Sequence, residues 1–235
     1  ITLHGSDINR KDIRIISKSA IYFSSWSVFV SQKLANVASI KENYSVIPCG
    51  IDLNIFYPVN KLTARQKLGY SVEDKLILFS SAFSNKVKNF ALAQAAVNRL
   101  NKDNSPDLQV RMIELIGYSR EEVNLLMNAC DVALLTSFTE GSPNFIKEAM
   151  ACNRPIVSTD VGDVQLLTKN IPGCFIAKND PADVANKIKQ ALEFDYSNGA
   201  RQRIIDLGLE INETAKKIVR IYKDVLRSNK NGHKF

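Results

Sequence analysis

No apolar run in this 235-residue chain approaches the roughly eighteen residues that cross a bilayer, so no membrane-spanning helix is expected. The opening, ITLHGSDINR, has neither a basic leader nor an initiating Met, which is expected of a fragment or a processed chain. Cysteine is sparse: Cys49, Cys130, Cys152 and Cys174 stand singly, with no CxxC spacing. Each lies in or beside an apolar stretch, so they read as buried free thiols of a reducing cytosol rather than as disulfides or a zinc site. There is no DxD motif and no histidine cluster with ligand spacing, so no metal is expected. Internal repeats and low-complexity linkers are also missing. The aromatics are not interleaved with the basic residues as a base-stacking platform requires, which argues against nucleic acid as a partner.

What is present is an ordinary globular composition. With 45% apolar residues the chain can bury a real core, in one large or two modest domains. The net charge of +7 is uneven: from residue 201 onward nine Lys/Arg face four acids, a local +5. Such a tail is either a solvated helix face or a contact for anionic lipid, the latter implying peripheral attachment to a membrane.

Short β-rich runs at 1–3, 20–23, 46–47, 76–80, 110–115, 132–135, 156–158 and 174–176 alternate with helical patterns. Those patterns fall at 27–40, 63–68, 89–101, 120–129, 144–151, 163–167 and 181–194. The alternation predicts an α/β fold, a Rossmann-like parallel sheet with helices on both faces. Ligands of such sheets sit beyond the carboxyl ends of the strands, so the loops at 4–7, 84–89, 117–120 and 139–144 become the candidates. The irregular GIDLNIFYPVN, 50–60, is the expected boundary between two lobes.

The richest loop is TEGSPNFIKEAM. Ser142 before Pro143 reads as a helix start, with Ser as cap and Pro at the first helical position. The free N–H groups of Asn144 and Phe145 then form an anion site, and Gly141 admits close backbone approach. Glu140 precedes the helix and Glu148 lies about one and a half turns inside it, so the two can grip different parts of one elongated ligand. A carboxylate accepts two hydroxyls, which suits a sugar at one end and a ribose at the other. The plain alternative is a capped helix with two solvated acids. In the 84–89 loop, Lys86 and Lys88 precede a helix with apolar residues at Phe90, Leu92, Ala93, Ala96, Val97 and Leu100; a lysine there can neutralise a diphosphate, and a surface role is the alternative.

VIPCGIDLNIFYP, the KN step at Lys88, ACDVALLTS, EGSPNFIKEAMACNRPIVSTDVGD and the closing GCFIA-ND-ADVANKI pattern together resemble the nucleotide-sugar half of the retaining GT-B glycosyltransferases of family four. The resemblance runs from about residue 1 to 194, and INETAKKIVRIYKDVL extends it as the C-terminal helix that crosses back onto the other lobe. It implies three parts: 1–48 as the end of an incomplete acceptor-side domain, 49–200 as the donor-binding domain, and 201–235 as the returning basic helix. It implies that Glu148 holds the donor ribose, Glu140 contacts the transferred sugar, and Lys88 holds the diphosphate. Backbone N–H groups from Ser142 to Phe145 would bind sugar and phosphate, His4 would approach the sugar from the other lobe, and Ile116, Gly117 and Tyr118 would flank the base.

The chain departs from the family where Ala82-Phe83 replaces a Gly-Arg pair, leaving Lys86 as the substitute charge. The segment 105–119 is short, and VGDVQLL replaces GG-x-x-E, so no carboxylate role passes to Gln165. The implied activity is transfer of a hexosyl unit from a nucleotide diphosphate sugar to a saccharide or lipid-linked hydroxyl, without cofactor, in synthesis of a bacterial cell-surface polysaccharide or glycolipid. The alternatives are a nucleotide-sugar-binding module without turnover and a nucleotide-sugar epimerase. Residues 1–47 hold strands of a partial sheet, so they are expected to be poorly ordered, paired in a homodimer, or completed by another chain.

Overall fold

The computed structural model describes residues 1–103, 109–194 and 199–230. Two parallel sheets organise them. The first has the order β1 (Thr2–Leu3), β2 (Ser27–Phe29), β3 (Tyr44–Val46), with Thr2 opposite Val28 and Ser27 opposite Tyr44. Helices α1 (Ser6–Asn9), α2 (Lys11–Phe23) and α3 (Gln32–Ala38) connect these strands. Leu3, Ile8, Phe29, Val30, Leu34 and Ala35 close a small core of their own.

The second sheet contains β4 (Lys75–Phe79), β5 (Val110–Ile113), β6 (Val132–Leu135), β7 (Ile156–Thr159) and β8 (Cys174–Ala177) in the order β5-β4-β6-β7-β8. Its central strands, KLILF, VALL and IVST, are almost wholly buried, as strands covered on both faces must be. Side chains alternate across the pleat. Ile77, Phe79, Leu134 and Val157 face α5 (Phe90–Asp103) and α9 (Pro181–Leu192), while Leu76, Leu78, Ala133, Leu135 and Ile156 face the other layer. That layer holds α6 (Arg120–Ala129), α7 (Asn144–Ala151), α8 (Val164–Thr168) and α10 (Ala200–Asp206). Helix α6 starts on a complete capping box between Ser119 and Glu122, and Asp180 caps α9 with Pro181 in its first turn.

The predicted α/β architecture is therefore present, with local exceptions. Residues 20–23, expected as a strand, are the last turn of α2, in which buried Ser17 and, one turn on, Ile21, packed against the small core, recur at helical spacing. The expected helix 27–40 begins as buried β2 and turns helical only after Ser31. Residues 1–47, expected to be poorly ordered, paired in a homodimer or completed by another chain, make a sheet with its own core. They also leave the anticipated apolar face open, with Tyr22 82% and Phe23 84% exposed. Helix α10 carries no signal used above. Of the short 105–119 segment, 105–108 lie outside the described residues and the rest holds the single strand β5.

Residues 50–60 run along the larger sheet's layer. Arg201 donates to the carbonyls of Leu53, Phe56 and Ala151, and Ile51 pairs with Leu209 and Ile211. Helix α4 (Lys61–Leu68) follows, capped by Asn60, and its buried Arg65 binds Asp131, which Lys61 also contacts. The chain ends in α11 (Ile211–Lys230). Among the described residues no helix is long and apolar enough to cross a membrane.

Candidate active site

The order β5-β4-β6 means that the chain leaves β4 toward one side of the sheet and later returns to lay β6 on the other. The crevice beyond the carboxyl ends of β4 and β6 is thus the topological switch point, where open parallel sheets place their ligands. Two loops line it: 80–89 after β4 and 136–143 after β6.

Lys88 ends a 3-10 turn, Lys86–Lys88, which Asn85 caps by accepting from the Val87 N–H. Its ammonium lies 2.7 Å from Glu140 Oε1, which also accepts the Ser137 hydroxyl at 2.7 Å. The pair is mostly shielded, with side chains 19% and 16% exposed. The backbones are tied as well: the Thr136 hydroxyl donates to the carbonyls of Lys88 and Asn89, and the Phe138 N–H donates to Val87. Because both loops hold the ion pair from behind, the remaining Lys88 protons and the second Glu140 oxygen are the groups left for a ligand.

Helix α7 begins beside this pair, at Asn144. Pro143 occupies the N-cap, and no side chain caps the helix. Ser142 therefore does not cap. Its hydroxyl donates instead to Asp163 Oδ2 at 2.6 Å and accepts from Lys147 Nζ at 2.7 Å, inside the protein. The uncapped first turn keeps the free N–H groups and dipole expected of an anion site. Asn144 is exposed there, whereas the Phe145 side chain is buried below.

Gly141 has a different use from the one expected. A Cβ on it would stand 2.0 Å from the His4 carbonyl oxygen and 3.0 Å from Val30, so the missing side chain lets the smaller sheet's loop approach rather than a ligand. Gly162 completes the stack: at φ +53 its own Cβ would meet the Gly141 carbonyl at 2.6 Å. His4 is exposed beside this contact, its Nδ1 3.8 Å from Cys49 Sγ, and Asn9 donates to the Glu140 carbonyl. The two loops expected to share a site, HGSD and EGSP, do meet.

Glu148 is half-buried one turn into α7. Burial raises its pKa, opposed by the nearby Arg120 and Lys147, and no hydrogen bond to its carboxylate is found among the described residues. Arg120 itself lies over the Phe56 ring. Ile116, Gly117 and Tyr118 form the exposed loop after β5, with Gly117 in the left-handed region, and the Glu114 carboxylate ties that loop to Phe83 N–H. Lys86 is not drawn into the Lys88–Glu140 pair. It is exposed and lines an outer cavity with Phe83, Asn89, Phe90 and Phe138.

Sequence reasoning missed Ser137, Thr136, Lys147 and Asp163. Lys147 did carry a signal: a lysine beside Ile146 on a helix whose neighbours at Phe145, Ile146, Ala149 and Met150 are all core. Asp163 carried none, because its partner is twenty-one residues away.

The family described as "Glycosyl transferases group 1" matches residues 74–193, more than half of the chain, and the protein belongs to that family. A putative teichuronic acid biosynthesis glycosyltransferase of Bacillus subtilis is 28% identical over 186 residues, covering 71% of this chain and 48% of that protein. The Campylobacter jejuni N,N'-diacetylbacillosaminyl-diphospho-undecaprenol alpha-1,3-N-acetylgalactosaminyltransferase is 25% identical over 244 residues, covering 92% and 65%. Among solved structures, sucrose-phosphate synthase of Thermosynechococcus elongatus superposes with a TM-score of 0.78 at 19% identity, covering 93% of this chain and 62% of that one. HepE of Anabaena, in complex with UDP and glucose, gives 0.73 at 19%, covering 94% and 70%. The fold is thus that of the GT-B glycosyltransferases, and the chain spans less than two thirds of the length of the first curated relatives.

Proposed function

We propose that this chain is the donor-binding part of a retaining glycosyltransferase that moves a hexosyl unit from a nucleotide diphosphate sugar to a hydroxyl. The observation that carries the reading is the shielded Lys88–Glu140 pair at the switch point, beside the uncapped start of α7. A diphosphate between them would meet a lysine and a helix N-terminus, both suited to the negative charge that grows as the glycosidic bond breaks. Glu148 would accept the ribose hydroxyls, Glu140 those of the sugar, with Asn144 and Phe145 N–H groups on phosphate. His4 would approach the sugar from the smaller sheet, and Ile116 to Tyr118 would flank the base.

Among the described residues no side chain stands as an evident nucleophile, which suits same-face displacement. The anomeric carbon–phosphate oxygen bond breaks, the bond to the acceptor oxygen forms on that face, and the departing phosphate takes the acceptor proton. The charge on the leaving group is met by Lys88 and the helix, so the reaction proceeds without a metal or other cofactor. Residues 1–48 serve as the end of the acceptor-side lobe and 49–200 as the donor lobe; of the expected single helix 201–235, the first part is α10, which packs on the donor lobe, α11 is the part that would reach the rest of the acceptor-side lobe, and 231–235 lie outside the described residues.

The names of the relatives support an acceptor that is a saccharide or a lipid-linked saccharide, in polysaccharide or glycolipid synthesis; the reading places the enzyme in the cytoplasm, at the inner face of the membrane. The UDP complex of HepE makes UDP the first nucleotide to try. Calorimetric titration with UDP, GDP and ADP, with Glu148→Ala as control, tests the reading. Selective binding of one diphosphate, lost in the control, is expected. Absence of binding by the folded protein overturns it.

A further inference from the structure

Beneath the α7 start lies a buried chain of polar groups to which the proposed chemistry gives no task. Lys147 is completely buried, Ser142 is 8% exposed and Asp163 7%. Lys147 Nζ donates to the Ser142 hydroxyl at 2.7 Å and to the Ser142 carbonyl at 3.2 Å, and the hydroxyl donates in turn to Asp163 Oδ2 at 2.6 Å. The second carboxylate oxygen, Oδ1, is buried with no partner among the described residues. A buried ammonium held through a hydroxyl, with its counter-charge half satisfied, is costly and adds little to stability compared with apolar packing. Its place is notable for a second reason. A cation in the first turns of a helix opposes the helix dipole, an arrangement that disfavours folding but adds to the potential felt by an anion at that end.

We propose that Lys147, Ser142 and Asp163 are positioning residues for the donor's diphosphate. Lys147 turns the Ser142 carbonyl inward, away from the anion, and places a fixed positive charge behind the α7 N-terminus. Asp163 holds Ser142 in register and docks the 160–163 loop, whose Gly162 braces Gly141. Burial lowers the Lys147 pKa below the usual lysine value, and the Asp163 carboxylate opposes that shift. The inference rests on the proposed function, since it needs a diphosphate at that end of the site.

The test separates phosphate positioning from plain structural support. Lys147→Met keeps the volume and removes the charge, and Lys147→Met combined with Asp163→Asn leaves neither ion buried alone. UDP and uridine are titrated into each variant, or GDP and guanosine if the first titration selects GDP, and thermal melts are recorded. In both variants the diphosphate should bind about tenfold more weakly while the nucleoside stays within about twofold. The doubly substituted protein should melt within about 4 °C of the parent, because no uncompensated charge remains. Equal losses for diphosphate and nucleoside, or unchanged diphosphate binding with a lowered melting point, would show structural support only and overturn the inference. Failure of the parent to bind any diphosphate removes the proposed function itself. Weakening by Lys88→Ala but not by Lys147→Met removes this inference alone.

Discussion

Lys88 contributes through charge, and its worth depends on what replaces it. In the free protein its partner is Glu140; in a donor complex the diphosphate would share or take over that bond. Lys88→Ala deletes charge-assisted hydrogen bonds worth about 1.5 to 3 kcal/mol, so nucleotide diphosphate binding should weaken roughly ten- to a hundred-fold. Calorimetry checks this, and unchanged affinity would remove Lys88 from its role. Glu148 offers the opposite balance. Burial raises its folded pKa, so the protonated form is favoured in the fold, and the stability it contributes below its unfolded pKa is lost as pH rises through the folded value. Glu148→Gln should therefore stabilise the protein above that folded pKa, give no gain at lower pH, and abolish selective nucleotide binding. Melting curves across pH, set beside titrations, would expose a Glu148 that is merely structural.

At the scale of elements, the site depends on two loops brought together by glycines. Gly141→Ala would force a Cβ to 2.0 Å from the His4 carbonyl, which is backbone and cannot swing aside. The expected result is a loss of about 1 to 3 kcal/mol in stability together with weaker donor binding, read by denaturant titration and calorimetry. A variant as stable as the parent would mean that the two loops do not pack in solution as described. The same scale shows where sequence reading reaches its limit. KLILF, VALL and IVST were legible because a fully buried parallel strand must be a short unbroken apolar run. AIYF and SVFV look alike by that rule, yet the first closes α2 and the second is β2. Their difference lies in what pairs with them: Ser27, Val28 and Phe29 find β1 and β3, whereas residues 20–23 have only the helical bonds of their own segment.

For the whole molecule, the contacts between the two sheets include Lys33 with Asp160, Asn9 with the Glu140 carbonyl, and the approach of His4, Gly5 and Val30 to Gly141. Helix α11 leaves this body with Val219, Tyr222 and Leu226 exposed beside Lys216, Lys217, Arg220, Lys223 and Arg227. Peripheral contact with an anionic membrane through that helix predicts sedimentation with anionic vesicles at low salt and release at raised salt, since the attraction is screened over about 10 Å at 0.1 M. Salt-insensitive or absent sedimentation would leave α11 as a protein-facing helix. A reaction supported by lysine and helix dipole also predicts that diphosphate binding persists in EDTA; its loss on chelation, restored by a divalent cation, would overturn the metal-free account.

The sequence by itself determined the alternation of strands and helices, the candidate loops at the strand ends, and the placing of Glu140 and Glu148 about a helix start, because each is written in local spacing and residue type; the meeting of Lys88 with Glu140, 52 positions away, was not. Only the tertiary structure decided that Ser142 faces Asp163 instead of capping α7, that Gly141 makes room for a backbone rather than a ligand, and that Lys147 is a core residue. These depend on groups brought together from β1, β6 and β7 across as many as 137 positions, from His4 to Gly141. Local propensity carries no record of such distant partners; burial and hydrogen-bond satisfaction, enforced by the packed sheets, select them.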